Sequence, residues 1–147
     1  ISAQDMYDAV TEEAKNSDII IKAAAVADYT PLNVSDNKIK KKDGDMSIAL
    51  KRTKDIIGTL GEHKKEGQFI CGFSMETENV IANSKDKLIK KNMDMIVANN
   101  VKVAGAGFGT DTNVVTIITG EDNIELPMMS KEDVASKILD FIMAKRR

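Results

Sequence analysis

The amino-acid sequence predicts an α/β fold with a mainly parallel sheet, helices on both faces and an antiparallel hairpin near the C-terminus. Helical and strand-like segments alternate along almost the whole chain, which is the pattern of βαβ units. Most strand-like segments are nearly continuous apolar runs, as expected for strands that are covered on both faces. Residues 120–123 form a turn-like sequence between two strand-like segments, which predicts the hairpin.

The N-terminal third is predicted to contain a helix, a strand and a long loop. In residues 2–16 apolar side chains recur at helical spacing, and residues 18–25 form a nearly continuous apolar strand. The polar segment 29–44 is predicted to be a loop, and loops of this length in compact domains are usually functional. Apolar and polar residues then alternate through residues 46–50, which predicts a half-buried strand.

The rest of the chain alternates regularly between helices and strands. Helices are predicted at 53–65, at 77–92 and from Ser130 onward, and strands at 69–73, 94–98, 114–119 and 124–126. The inner side of the helix 77–92 is predicted to carry Val80, Ile81, Ser84, Leu88 and Ile89. Asp133 follows Ser130 by three residues, which favours a capping box at the start of the last helix. Because no linker or internal repeat interrupts the pattern, residues 1–147 are predicted to form one domain.

Composition argues against several classes of partner and location. The 147 residues include 21 basic and 23 acidic side chains, and this balance gives no support to a nucleic-acid or membrane-surface partner. Lys22 interrupts the longest apolar run well short of the roughly 20 residues that span a membrane. Cys71 is the only cysteine, so a disulfide within the chain is impossible and a cytoplasmic location is expected. The chain begins at Ile1 with helix-like sequence and no signal peptide, which indicates a piece of a longer protein.

A candidate phosphate site follows the first predicted strand. Residues 23–25 are alanines, and such small side chains leave the backbone open to a ligand. Asp28 stands where the strand should end, which is where open α/β sheets bind their ligands. The lysine cluster 38–42 comes soon afterwards, so a carboxylate able to face a metal and cations able to face phosphates occur together. The alternative reading of this cluster is an ordinary solvated run of charges.

A second pair of lysines lies on the predicted helix 77–92. Lys87 and Lys91 are four residues apart and therefore on one face, where both ammonium groups can converge on a single polyanion. The alternative is a solvated helix face, for which lysine is well suited.

Other common chemistries find little support. The loop Gly105–Gly109 superficially resembles a phosphate-binding loop, but β-branched residues follow it where a dinucleotide site requires a helix. His63, the only histidine, lies among charged residues at a helix end, which argues against a zinc site and against histidine-based catalysis. Cys71 lies in a buried strand and is expected to be a core residue rather than a nucleophile.

Six short motifs, in order, make the chain resemble phosphopantothenate–cysteine ligase, also called phosphopantothenoylcysteine synthetase. They are Ala-Ala-Val-Ala-Asp-Tyr (24–29), Lys-Ile-Lys-Lys (38–41), Thr-Lys-Asp-Ile-Ile (53–57), Gly-Phe-Ser-Met-Glu-Thr (72–77), the segment 87–99 with its Lys-Asn and Ala-Asn pairs, and Phe-Gly-Thr-Asp-Thr-Asn (108–113). Each motif is weak alone, but together they cover essentially the whole chain. The chain is therefore similar to the ligase domain of the bifunctional coenzyme A biosynthesis protein.

The resemblance implies a Rossmann-like fold, a homodimer and an enzyme of coenzyme A biosynthesis. Bacterial members of the family use CTP to join 4′-phosphopantothenate to L-cysteine through an acyl-cytidylate. That reaction gathers negative charge, which positioned cations and Mg²⁺ stabilise. CTP as co-substrate and Mg²⁺ as cofactor are therefore expected.

The resemblance also assigns roles to individual positions. Lys38 is the expected catalytic lysine, held on a flap of about residues 40–45 that closes over the site. The substrate's pantothenate end is expected at the backbone of Ala24 and Ala25. The nucleotide is expected at Asp28, Lys38, Lys54, Asp55, Ile56, Ile57, Phe73, Lys87 and Lys91. No residue is assigned as a metal ligand.

The sequence departs from the family at its start. The glycine-rich strand–turn–helix and the Asn-containing substrate motif of the family are not in this chain, which indicates the C-terminal portion of the ligase domain. Family members are often fused to a flavin-containing decarboxylase, and no flavin is expected in this chain. Two alternatives stay open. One is a non-catalytic nucleotide-binding or dimerisation module that dimerises through the arm 38–52, and the other is an ATP-using ligase of similar fold.

Overall fold

The computed structural model describes residues 1–41, 44–76, 79–100 and 109–146. Its helices are α1 (Ala3–Glu13, continued by a 3₁₀ turn Ala14–Asn16), α2 (Ile56–Glu62), α3 (Val80–Lys90) and α4 (Lys131–Lys145). Its strands are β1 (Ile19–Lys22), β2 (Tyr29–Pro31), β3 (Leu50–Arg52), β4 (Phe69–Glu76), β5 (Met95–Asn100), β6 (Thr112–Asn113), β7 (Val115–Ile118), β8 (Asn123–Glu125) and β9 (Met129–Ser130).

Five strands form the central sheet, in the order β1-β4-β5-β7-β8. The pairs β1–β4 and β4–β5 are parallel, whereas β5–β7 and β7–β8 are antiparallel. The predicted turn 120–123 joins β7 to β8, and the Thr119 N–H donates across it to the Asp122 carbonyl at 2.9 Å. The fold class predicted from the sequence, including the C-terminal hairpin, is confirmed.

Helices cover both faces of this sheet. On one face Val134, Ile138 and Ile142 of α4 pack against alternate strand residues such as Cys71 and Val97. On the other face, residues of α2 and α3 pack against Ile70 and Ile96, and α1 packs at the margin of that cluster. The period-2 alternation along β4 and β5 thus supplies two apolar layers, one for each set of helices.

Capping residues set the starts of α4 and α2, and the cap of α4 at Ser130 is the one that the sequence predicts. The Ser130 hydroxyl accepts a hydrogen bond from the Asp133 N–H at 3.0 Å, as expected of an N-cap. Asp55 caps α2 in the same way, through the Gly58 N–H at 3.0 Å. The helix predicted at 53–65 therefore begins only at Ile56 and ends at Glu62.

Two strand predictions need correction. β1 ends at Lys22 instead of residue 25, and Ile21 is exposed although both faces of this strand were predicted to be covered. Among the described strands β1 lies at the edge of the sheet. The predicted half-buried strand 46–50 is absent from the described residues, which place only Leu50–Arg52 in β3. There, β3 pairs with β2 as a separate two-stranded ribbon, and the apolar residues Met46, Ile48 and Leu50 are exposed. No sheet or helix covers this ribbon within the described ranges, so the alternating pattern has no core to face.

The inner face predicted for α3 is only partly right. Ser84 and Leu88 are buried, but Ile81 and Ile89 are 46% and 75% exposed. The buried stripe of α3 is therefore narrower than the apolar pattern implies.

Candidate functional site

A cavity of about 480 Å³ lies at the carboxyl ends of β1, β4 and β5. Its walls come from the segment after β1, the start of α2, the end of β4, the last turn of α3 and β5. The position agrees with the rule that open α/β sheets bind ligands outside the carboxyl ends of their strands. Another cavity, of about 440 Å³, lies between α1 and α2, and a shallow charged one of about 610 Å³ is lined by residues such as Lys64, Asp94 and Lys145. The strand-end cavity is taken as the candidate site because of its position at the carboxyl ends of the strands.

Ten of the eleven site residues expected from the sequence line this one cavity. They are Ala24, Ala25, Asp28, Lys54, Asp55, Ile56, Ile57, Phe73, Lys87 and Lys91. The eleventh, Lys38, is exposed on the segment between β2 and β3 and does not line the cavity. The expected flap 40–45 is only partly described, since residues 42 and 43 lie outside the described ranges, as do residues 105–108 of the glycine-rich loop.

The wall after β1 exposes its backbone. Ala24 and Ala25 are exposed and line the cavity, and they carry only methyl side chains. The ammonium of Lys22, at the end of β1, donates a hydrogen bond to the Ala24 carbonyl at 3.0 Å. That contact holds the alanine segment at the mouth of the cavity.

Thr53 connects this wall to the start of α2 through two hydrogen bonds. Its N–H donates to the Asp28 carbonyl at 2.9 Å, and its hydroxyl donates to the Ala27 carbonyl at 2.7 Å. Because Lys54 and Asp55 follow directly, these two bonds bring Asp28 into the same wall as the α2 cap. Residues about 25 positions apart in sequence are thereby placed side by side.

Asp55 links α2 to the end of α3. Its Oδ1 accepts the Gly58 N–H, and its Oδ2 forms an ion pair with the Lys91 ammonium at 2.9 Å. Burial raises the pKa of the Asp55 carboxyl, but the hydrogen bonds from Lys91 and Gly58 and the charge of Lys91 outweigh it. The pKa therefore lies below its ordinary value, and the carboxylate is ionised at neutral pH.

The cavity carries an excess of positive charge. Four lysines and two aspartates line it: Lys22, Lys54, Lys87, Lys91, Asp28 and Asp55. Lys54 also places its ammonium 4.4 Å from the ring centre of Tyr7 on α1, a cation–π contact. Burial, followed by the charge of Lys91, lowers the pKa of Lys22. This distribution suits a ligand with several negative charges.

An apolar wall faces the charged one. Phe73 and Met75 of β4 are partly exposed at the cavity, whereas the side chains of Ile56 and Ile57 are 2% and 9% exposed and belong to the core. At Gly72 a Cβ would lie 2.7 Å from Ile57 Cδ1 and 2.9 Å from Met93 Sδ, so glycine permits close packing there. An exposed phenylalanine ring beside cations is a suitable surface for a flat base.

Sequence reasoning assigned no role to Lys22 or Asn99, which are two of the polar residues that line the cavity. An ammonium at the end of an apolar strand is costly to bury, and this was the available signal for Lys22. Asn99 ends the β5 apolar run, and its Oδ1 is buried with no hydrogen-bond partner among the residues that the structure describes. Asn99 ends the family motif 87–99, and this was the available signal for it.

The donor set suits a magnesium ion that arrives with phosphates. Mg²⁺ is usually held by one or two carboxylates together with substrate phosphates. In the described ranges no group of three or more His, Cys, Asp or Glu side chains is placed to hold a metal ion. Asp28, whose side chain lines the cavity, fits the role of a single carboxylate ligand to a nucleotide-borne ion.

Cys71 and His63 lie where the sequence predicts, one in the core and one at the surface. Cys71 is fully buried, and burial raises its pKa to about 12, so it is a neutral thiol in the core. His63 is exposed at the end of α2.

No helix in the described part of the chain is long and apolar enough to span a membrane.

Fold and site together define a Rossmann-like α/β domain with a cation-rich ligand cavity at its strand ends. Residues 1–145 match the family model of the DNA/pantothenate metabolism flavoprotein C-terminal domain, and the chain belongs to this family. The membership confirms the resemblance found in the six motifs.

Relatives and a solved structure agree with this assignment. The coenzyme A biosynthesis bifunctional protein CoaBC of Bacillus subtilis is 54% identical over 144 residues, which are 97% of this chain and 35% of that protein. A cysteine/cysteine sulfinic acid decarboxylase of an unknown prokaryotic organism is 47% identical over 143 residues, 97% of this chain and 40% of that protein. The crystal structure of the C-terminal domain of CoaBC superposes with a TM-score of 0.78 at 45% identity, covering 98% of this chain and 64% of that one. The chain thus spans between a third and two fifths of the length of these curated relatives.

Proposed function

We propose that this chain belongs to a cytoplasmic enzyme of coenzyme A biosynthesis and forms most of its phosphopantothenate–cysteine ligase site. The reaction is the CTP-dependent ligation of 4′-phosphopantothenate to L-cysteine, giving 4′-phosphopantothenoylcysteine. The proposal is supported by family membership and by a relative, 54% identical, that is named as a bifunctional protein of coenzyme A biosynthesis. Fusion to a flavin-dependent decarboxylase in the whole protein is part of the proposal.

The observation that carries the proposal is the convergence of the expected residues. Four segments that are far apart in sequence bring ten residues to one cavity. Cations, a carboxylate, open backbone and a half-exposed aromatic ring meet there, and these are the groups that a nucleoside triphosphate and a second acidic substrate require.

The chemistry proceeds in two steps. A carboxylate oxygen of 4′-phosphopantothenate attacks the α-phosphorus of CTP, and the bond to pyrophosphate breaks as the acyl-cytidylate forms. The amine nitrogen of cysteine then attacks the acyl carbon, the bond to CMP breaks, and the amine releases its surplus proton. Lys87 and Lys91 hold the triphosphate, and Phe73 packs against the cytosine. When it is bound with CTP, Mg²⁺ neutralises phosphate charge.

Lys38 is assigned to the first step, in which it stabilises charge that develops on the phosphate oxygens. Since it lies outside the cavity, its segment must approach the site when substrates bind. The same arm exposes several large apolar side chains, among them Ile39, Met46 and Ile48. We therefore include in the proposal a homodimer in which the arm contacts the partner copy.

A second candidate is a nucleotide-binding or dimerisation module without activity of its own. Two observations favour this second candidate for the isolated chain. Lys38 lies outside the cavity, and the chain spans only 35% of the length of its Bacillus subtilis relative. The two candidates differ in whether this chain alone forms product. ATP in place of CTP is the third possibility, and a direct comparison of the two nucleotides separates them.

The test uses the full-length protein and its Lys38→Gln variant. Calorimetric titration with CTP and with ATP, each with Mg²⁺, measures nucleotide affinity, and the formation of 4′-phosphopantothenoylcysteine measures turnover. We expect preference for CTP, nearly unchanged CTP affinity in the variant and a fall in kcat of about a hundredfold or more, as for loss of a transition-state charge contact. Unchanged turnover in the variant would remove Lys38 from catalysis, and failure to bind either nucleotide would contradict the function.

A further inference from the structure

We propose that Lys22 is a further phosphate-binding residue of this site, acting beside Lys91 on the same anion. The inference rests on the proposed function and adds to it a residue that the family motifs do not assign. It identifies the chemistry recognised, a phosphate group, and places that group between the end of β1 and the end of α3.

Position is the first argument. Lys22 is the last residue of β1 and pairs with Gly72 of the parallel strand β4. Its side chain lines the cavity together with Lys87 and Lys91 of α3 and Asp28 of the loop after β1. An ammonium at the carboxyl end of a parallel strand faces the space in which ligands of such sheets bind.

The second argument is that the groups around the Lys22 ammonium neutralise little of its charge. Lys22 is partly buried, and an ammonium group has three N–H donors. The hydrogen bond that the described residues give it runs to a neutral acceptor, the Ala24 carbonyl at 3.0 Å. The nearby carboxylate of Asp55 is already engaged, since Oδ2 pairs with Lys91 and Oδ1 accepts from Gly58.

The third argument is mutual repulsion. Burial and the charge of Lys91 both lower the pKa of Lys22, while Asp55 and Asp28 act in the opposite direction and do not cancel the effect. The ammonium groups of Lys22 and Lys91 repel each other, and the two nearby carboxylates do not offset this repulsion, so the site can accept further negative charge. A phosphate supplies several acceptor oxygens and contacts both ammonium groups at once.

Two ligands of the proposed reaction carry phosphate, CTP and 4′-phosphopantothenate. Lys22 lines the cavity together with both the alanine segment and Lys91, so its position is compatible with either source. A purely structural role is the competing explanation, in which Lys22 only holds the Ala24 carbonyl in place. If that role were the only one, substitution of Lys22 would lower the affinity for all ligands alike, whatever their number of phosphates.

The experiment is a calorimetric titration of the full-length protein, wild type and Lys22→Met, with CTP, CMP and 4′-phosphopantothenate. Methionine keeps the length of the side chain and removes the charge. Lys137→Met is the matched control, because Lys137 is exposed on α4 and does not line the cavity. Lys22→Arg keeps the charge and is expected to retain most of the affinity.

We expect Lys22→Met to lower the affinity for one phosphate source by about tenfold or more, as for loss of a hydrogen bond to a charged group. If the triphosphate is the source, the loss is large for CTP and below about threefold for CMP, and it shrinks as salt is raised. If 4′-phosphopantothenate is the source, its affinity falls and that of CTP does not. Equal losses for all three ligands, or no loss for any, would overturn the assignment while the ligase proposal stands. Absence of binding in the wild type would overturn both.

Discussion

Asp55 shows how much one side chain does in this site. Its two oxygens cap α2 and hold Lys91, so it joins two helices and places a cation at the cavity. Its side chain is 55% exposed, and that of Lys91 is 34% exposed, so solvent screens the pair. The ion pair is therefore expected to contribute only a few tenths to about 1 kcal/mol to stability.

The variant Asp55→Asn removes the ion pair with Lys91 but keeps the helix cap, because asparagine is as good an N-cap as aspartate. The pKa of Asp55 is lowered in the folded state, so its contribution to stability is present above the ordinary value of 3.8 and is lost as the pH falls below it. We expect the free energy of unfolding of the wild type to exceed that of the variant by up to about 1 kcal/mol at neutral pH. This difference should disappear as the pH falls through the lowered folded-state pKa of Asp55. Urea unfolding at neutral pH and at a series of acid pH values measures the difference, and a difference independent of pH would contradict the expectation.

At the scale of helices and strands, the contact between α2 and the end of α3 shapes the site. The Asn92 amide donates to the Gly61 carbonyl at 2.9 Å. A Cβ on Gly61 would lie 1.9 Å from the Lys91 carbonyl oxygen, so the two backbones touch where any other residue would collide. This contact fixes the distance between Asp55 at one end of α2 and Lys91 at the end of α3.

Gly61→Ala tests that packing. Helix propensity alone would favour alanine by about 1 kcal/mol, but the collision with backbone is expected to reverse the sign and to destabilise by about 1–3 kcal/mol or more. Gly120→Ala is the control, since a Cβ there meets nothing within 4 Å, and its effect should stay within about 0.5 kcal/mol. Thermal unfolding of both variants measures the effects. A stabilised Gly61→Ala variant would show that α2 is free to shift away from α3.

At the scale of the whole molecule, the ribbon of β2 and β3 and the residues beside it expose large apolar side chains that nothing in the described part of a single chain covers. Ile48, Leu50 and Val34 are 60%, 57% and 83% exposed, although large apolar residues usually find cover. Ile48 and Leu50 belong to the arm 38–52, and their exposed side chains present an apolar surface suited to a second copy. This surface supports the homodimer proposed above.

Ile48→Asp is therefore expected to convert a dimer into a monomer, because a carboxylate would be buried in the interface without a partner. Ile89→Asp is the matched control, since Ile89 is an isoleucine on α3 that is 75% exposed and lies away from the arm. Sedimentation equilibrium gives the mass of the wild type and of both variants. A monomeric wild type, or dissociation of the control as well, would contradict a dimer built on the arm.

Local sequence signals account for most of the secondary structure, and the family motifs name many residues of the candidate site. Apolar runs and helical spacing predicted β4, β5 and α4, and Ser130 marked the start of α4, because these signals depend on neighbouring residues only. The family motifs predicted residues such as Asp28 and Lys91, which the structure gathers in one cavity. The roles of these residues in binding and catalysis stay predictions until the variants are measured.

The tertiary structure decided what depends on distant neighbours. Alternation in residues 46–50 predicted half-burial, yet burial requires a covering layer, and the ribbon has none among the described residues. Lys22 was significant in the sequence only as an interruption of an apolar run, and its place beside Lys91 follows from how β1 and α3 flank β4. Local patterns fix which residues favour helix or strand, whereas exposure, ion pairs and cavity walls arise only when separate segments pack together.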